Sequence, residues 1–272
     1  MSVEFDLTAA ECLANAQQIA QSGDGDATIA FCRRAIAIYP MNTELRQFLH
    51  QVLKQTQQYR LLAETTADWL RSSPDDPVAY RIFADLNAKD LDQETAQRIR
   101  EYATKLEAAT NSTQSADSVL GHLPEIWSEE HKPETEQCQT GEGTLPILAG
   151  FNIWGEAYLN TFLDYCLPSL LSPNNFPLIA KTYAGSYIWI SIPLPDYVRL
   201  KRQLIFEELV RLVRVKITII KQPYPSLYKY DAITALMNIK RRAAIEARNV
   251  LATLDCDAVF ADGALFRAAE VL

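Results

Sequence analysis

Near the end of the 272-residue chain three carboxylates fall close together, Asp255, Asp257 and Asp262, in the segment LDCDAVFADG. Asp255 and Asp257 sit where an apolar, strand-like piece ends, which brings two carboxylates near each other. Hard divalent cations bind through one or two such groups together with phosphate oxygens. The same residues also read as turn and helix-cap residues, because Asp262–Gly263 is a common turn pair and a D-x-D triplet recurs by chance.

A second stretch carries a related signal: Leu145–Pro177, LPILAGFNIWGEAYLNTFLDYCLPSLLSPNNFP. Leu145, Ile147, Leu148 and Ala149 are long enough for a buried strand, and Gly150 and Asn152 break it. After Gly155, the residues Tyr158, Phe162, Cys166 and Leu170 recur every four positions, as on one helical face. Pro173 and Asn174–Asn175 end that helix. Strand, glycine turn and helix in this order open an α/β sheet, and nucleotides usually sit at the carboxyl ends of such strands.

The elements that would position these residues follow from the remaining pattern. Ser186–Ile192 is a second strand, and a helix runs from Asp196 to about Arg211 behind Pro193 and Pro195. Arg211–Ile220 alternates, with Val213, Val215, Ile217 and Ile219 on one side, and is a third strand. After the tyrosine-rich loop at Pro223–Pro225 comes a long helix, about Ala232–Ala252, with Leu236, Ile239, Ala243 and Ala247 inward. Lys240, Arg241 and Arg242 are read on its outer face, and with Lys229 they are the basic residues that could meet phosphates. Such alternation implies a largely parallel sheet.

Residues 8–108 are different: helix follows helix, near Ala27–Tyr39, Glu44–Gln57, Tyr59–Ser72, Val78–Lys89 and Gln93–Ala108. Pro40 and Pro74 lie 34 residues apart, each just past a helix. That period is the one tetratricopeptide repeats show. The small-residue position of the second helix falls on Ala35 and Ala103 but on Trp69 in the middle unit, so the match is degenerate. Helix pairs of this kind bury one face only on their neighbours, and their free face receives a protein partner. Residues 109–143 are polar, acidic and turn-rich and read as a mobile linker, with Leu120, Leu123, Ile126 and Trp127 as an apolar island that could dock on either domain.

Charge divides along the same lines. Residues 1–108 hold 11 basic and 16 acidic side chains, 109–143 hold 1 and 7, and 144–272 hold 14 and 11. Only the last segment would attract an anion such as a diphosphate. No basic run with interleaved aromatics points to nucleic acid. No apolar run is long enough for a membrane span, and the N-terminus lacks a signal peptide's features, so a cytoplasmic location is expected. Cys12, Cys32, Cys138, Cys166 and Cys256 are scattered, which argues against a disulfide framework or a zinc site. His50, His122 and His131 are likewise dispersed.

Three blocks carry a family resemblance: WGEAYLNTFLDYCLPSLLSPNNFP, YKYDAITALMNIKRRAAIEA and LDCDAVFADGAL. Together they resemble the front half of a GT-A-type glycosyltransferase-like domain, a kind often joined in bacteria to tetratricopeptide repeats. The resemblance covers about residues 145–272. It implies a transferase fold in which Phe151, Asn152, Trp154 and Gly155 contact a nucleotide-sugar donor. It also implies that Asp255, Asp257 and Asp262 lie near the donor diphosphate with Mg²⁺ or Mn²⁺. Only 129 residues follow Gly143, against more than ~200 for a complete domain of this kind. The acceptor-binding half is therefore expected to be missing, activity is in doubt, and exposed sheet edges favour a homodimer.

The expected architecture is α plus α/β: a tetratricopeptide-like repeat domain at 1–108, a linker at 109–143 and a partial Rossmann-like domain at 144–272 with a mainly parallel sheet. The competing expectation is a non-catalytic interaction scaffold in which the repeats recruit a protein. No nucleophile or general base stands out.

Overall fold

The computed structural model describes residues 7–88, 91–111, 125–133, 145–220 and 229–271; the side chains of 109–111, 125 and 229–232 lie outside that description. His122, Cys138, Leu120, Leu123, the Pro223–Pro225 loop and the Lys229 side chain fall outside the described residues. The chain divides into two compact units, Met1–Gln114 and Ser115–Leu272.

The first unit consists of helices α1 (Ala9–Gln21), α2 (Gly25–Ile38), α3 (Thr43–Gln55), α4 (Tyr59–Ser72), α5 (Pro77–Leu86) and α6 (Gln93–Asn111). Each packs on the next, and α1 also meets α3. Their caps keep the 34-residue period. Thr8, Asn42 and Asp76 cap α1, α3 and α5 through their side chains. Asp24 caps α2, Asp92 accepts from the N–H of Thr95 at 2.7 Å, and Gln58 holds the equivalent place before α4 without a side-chain bond. Caps of this kind satisfy helix N–H groups that have no partner in their own helix. The prolines also repeat their role: Arg46 Nε donates to Pro40 O at 2.8 Å, and Tyr80 Oη donates to Pro74 O at 3.0 Å.

Ala35, Trp69 and Ala103 are all fully buried at equivalent places. The middle repeat replaces small residues with a polar and aromatic group. His50 stands where its neighbours have Ala16 and Ala84, and its ring lies 5.1 Å from that of Trp69. The Arg46 guanidinium is 5.9 Å from the same indole. Trp69 is thus held in the repeat frame by the His50 ring and the Arg46 guanidinium.

The second unit is a five-stranded sheet in the order β1-β4-β3-β2-β5. Its strands are β1 (Glu125–His131), β2 (Ile147–Asn152), β3 (Tyr187–Pro193), β4 (Arg214–Ile220) and β5 (Val250–Thr253). β2, β3, β4 and β5 are mutually parallel, and β1 runs antiparallel on the edge of β4. The C-terminal part is thus an α/β unit with a mostly parallel sheet, as the sequence implies.

Several details differ from the sequence expectations. Residues 125–131, read as part of the linker, form edge strand β1, and Trp127 packs edge-on against Tyr197 at 6.5 Å within this unit. α9 (Phe176–Thr182) precedes β3, and the helix expected from Asp196 to Arg211 breaks into α10 (Leu194–Lys201) and α11 (Leu204–Leu212). The long helix, α12, spans Lys229–Glu246 and stops before β5, so the last strand lies ahead of the acidic segment.

The helix after Gly155 is also not uniform. α7 (Glu156–Thr161) passes through a π turn, Phe162–Cys166, into α8 (Leu167–Leu170). Leu167 N–H donates five residues back to Phe162 O. Pro168 would press its ring on the carbonyl four residues earlier in a regular helix, and the wider turn relieves this. The buried face of this segment is Leu159, Phe162, Cys166 and Leu170, and Tyr158 is 42% exposed.

Candidate functional site

Sheet order defines the place to look. β2, β3 and β4 follow one another in one direction, and the chain then returns to lay β5 on the other side of β2. The strand order therefore reverses between β2 and β5. Ligands of open α/β sheets bind outside the carboxyl ends of the strands at such a reversal. Gly150 pairs with Thr253 across the two strands, and Leu254 N–H donates to Gly150 O at 3.0 Å. The residues just beyond, Asn152 and Asp255, thus leave adjacent strand ends. The sheet brings together the two stretches singled out in the sequence.

Their side chains have unequal roles. Phe151 is fully buried and meets Phe162 edge-on at 5.4 Å. Trp154 packs with Ile220, Leu236 and Ile233. Both rings serve the core. Asn152 is partly exposed. Gly155 turns the chain with φ +89°, ψ 151°, a region nearly closed to other residues, and precedes α7. Its N–H donates to the carboxylate of Asp196 at 2.7 Å.

Asp255 and Asp257 are exposed, with Cys256 buried between them. Burial pushes the Cys166 thiol up to about 12, helped by Cys256 and Asp257 nearby. The four described cysteines carry free thiols.

Asp262 is engaged away from the pair. It accepts from Ser172 Oγ, from Asn174 N–H at 3.1 Å and from Asn174 Nδ2 at 2.7 Å. The buried Asn175 donates to Ser169 O at 2.8 Å and Ala261 O at 3.1 Å, and accepts from Leu265 N–H at 3.1 Å. The three aspartates do not converge: among the described residues no group of three or more His, Cys, Asp or Glu could hold a metal ion.

Two functional-site residues went unrecognised in the sequence. Asp196 is fully buried in the first turn of α10. Lys240, expected on the outer face of α12, is 2% exposed and is the correction of most consequence. Its Nζ donates to Phe151 O at 2.7 Å and Asn152 Oδ1 at 2.5 Å. Burial pushes its pKa well below the ordinary lysine range. The signal was present in the four-residue spacing of Leu236, Lys240 and Ala244, all buried. Ala247, expected inward, is exposed.

No family model matches the chain, and no curated protein matches it. Among solved structures it is similar to an O-GlcNAc transferase of Thermobaculum terrenum, a K341M mutant, at 14% identity and a TM-score of 0.28. That similarity covers 89% of this chain and 45% of the other, so the chain spans less than half of that protein. A TM-score this low leaves a shared fold unestablished. No described helix is long and apolar enough to cross a membrane.

Proposed function

We propose that the α/β unit binds a nucleotide-sugar donor at the carboxyl ends of β2 and β5, in a glycosyltransferase-like protein of the GT-A type that its sequence resembles. The observation that supports this reading is the reversal of strand order between β2 and β5, with Asn152 and the Asp255–Asp257 turn leaving adjacent strand ends. Asp255 and Asp257 would hold Mg²⁺ or Mn²⁺ together with the donor's phosphate oxygens. The ion would neutralise charge on the diphosphate leaving group. With two carboxylates and no third His, Cys, Asp or Glu beside them among the described residues, the ion would arrive with the diphosphate. Transfer to an acceptor is the further part of the proposal, and no described residue is assigned as its base.

Calorimetric titration of the full chain with UDP, GDP and ADP and their sugar conjugates, with and without Mn²⁺, tests the reading. Saturable binding of one diphosphate is expected, strengthened by Mn²⁺ and losing that metal dependence in Asp255→Asn and Asp257→Asn. A ligand at 100 times its dissociation constant would also stabilise the native state by about 2.7 kcal/mol. Absence of binding to every diphosphate and sugar conjugate would overturn it. The second reading, a repeat scaffold that recruits a protein, is supported by the 34-residue recurrence of caps at Thr8, Asn42 and Asp76.

A further inference from the structure

At the end of β2 a side chain from α12 determines which atoms are left for a ligand. Lys240 Nζ faces two neutral oxygens, Phe151 O and Asn152 Oδ1. An ammonium group has three donors and no acceptor, whereas a primary amide has one of each kind of end. The lysine therefore draws the amide oxygen of Asn152 to itself and leaves the nitrogen on the other side. Nδ2 has no partner among the described residues, and it is not among their sealed unpaired atoms. Two N–H donors thus remain at the strand end without a partner among the described residues.

The sheet is shaped to admit this lysine. Gly150 lies beneath its stem, and a Cβ there would stand 3.0 Å from Lys240 Cδ. Gly150, Trp189 and Lys216 are neighbours across β2, β3 and β4. The Trp189 ring has Lys216 Nζ at 3.8 Å and Lys240 Nζ at 6.0 Å from its centroid. Its Nε1 donates to Thr218 Oγ1 at 2.8 Å, which holds the indole in place.

We propose that Lys240 is a positioning residue that locks the Asn152 amide with Nδ2 outward, so that the crevice takes ligands presenting phosphoryl oxygens there. The inference rests on the donor-site reading and gives it a substrate class: acceptor-rich, phosphate-bearing ligands.

Asn152→Asp is the decisive variant. It keeps the contact to Lys240 and the side-chain volume but turns the outward donor into an acceptor. UDP and inorganic pyrophosphate are the probes. Asn152→Asp is expected to weaken UDP and pyrophosphate at least about tenfold, the effect of a lost pairing in a built site, without lowering the urea midpoint. Equal affinity in wild type and Asn152→Asp would overturn the proposal.

A ligand-free readout separates this inference from the donor site. In ¹H–¹⁵N spectra of the full chain, the Asn152 side-chain amide pair is assigned by its loss in Asn152→Asp. Lys240→Met is expected to move that pair towards solvent-averaged positions while distant backbone signals of α11 and β1 stay in place. An unmoved pair would overturn the lysine's role. If wild type binds neither probe yet the pair moves, the donor-site reading fails and the positioning role stands.

Discussion

The buried carboxylate of Asp196 accepts the backbone N–H of Gly155 at 2.7 Å, joining the turn after β2 to the first turn of the helix after β3. The end of β2, which borders the candidate crevice, is thereby tied to the end of β3. Removing the acceptor in Asp196→Ala leaves the Gly155 N–H without its partner. A loss of about 1–3 kcal/mol is expected. Gly155→Ala meets no atom within 4 Å of the new Cβ, so its cost is backbone strain alone, about 1–3 kcal/mol at this φ and ψ. Urea unfolding followed by tryptophan fluorescence reports both, because Trp127, Trp154 and Trp189 all lie in this unit. Unchanged midpoints would remove the clamp from the account.

Gly150 and Lys240 should be energetically coupled. The Cβ added by Gly150→Ala would crowd Lys240 Cδ at 3.0 Å. Overpacking of this kind costs about 1–3 kcal/mol. In a Lys240→Ala background the crowded atom is gone, and the same substitution should cost less by at least about 0.5 kcal/mol. A double-mutant cycle on the full chain measures the difference, and additive effects would mean that the glycine serves some other end.

Local chemistry made most of the architecture legible. The buried valines and isoleucines at 213, 215, 217 and 219 alternate as a strand must, and β4 follows them. The helical unit is visible in its prolines and caps because both act within a few residues. The edge strand was hidden by its charges: Glu129 and Glu130 suggest solvent, yet Glu129 accepts from Tyr197 Oη at 2.6 Å and bonds His131 Nε2 at 2.8 Å. Its ladder partner is about 90 residues away, with Ser128 opposite Thr218, and no local signal carries such pairing. The burial of Lys240 is hidden for a related reason. A lysine in a polar run defaults to solvent, and only the glycine on a distant strand shows where its stem goes. Strand order, which places Asn152 beside the Asp255 turn, is likewise a property of the whole sheet.

Asp262 should behave as a structural clip. Its carboxyl is held below the usual carboxylate range by hydrogen bonds from Ser172 and then Asn174. A carboxylate with a depressed folded pKa contributes fully above its unfolded value, near 3.9, and loses that contribution as pH falls through the folded value. Asp262→Ala should therefore speed amide exchange at Asn174–Leu178 at neutral pH and remove an acid-sensitive part of that protection. It should leave any Mn²⁺ response intact. A metal response lost in Asp262→Ala but kept in Asp255→Asn would reverse the assignment.

The middle helical repeat should carry an acid sensitivity that its neighbours lack. Thr66 Oγ1 donates to Leu62 O at 2.7 Å, so its contact with His50 Nε2 at 3.2 Å requires the imidazole to donate from Nε2. Nδ1 is then a buried acceptor with no partner. Burial first, and then the charge of Arg46, bring the His50 pKa down to about 4. The folded state thus holds a neutral ring over a range where the unfolded chain, titrating near 6.5, takes up a proton. More protons bound by the unfolded state make stability rise with pH, so its contribution is complete above about 6.5 and is lost as pH falls towards 4. The slope from one such group is at most about 1.4 kcal/mol per pH unit. Ala16 and Ala84 occupy the equivalent places and do not titrate. Thermal unfolding followed by far-ultraviolet circular dichroism at pH 7 and pH 5 should show a larger drop for wild type than for His50→Leu. Equal drops would mean that the ring is already paired or already charged in the folded chain.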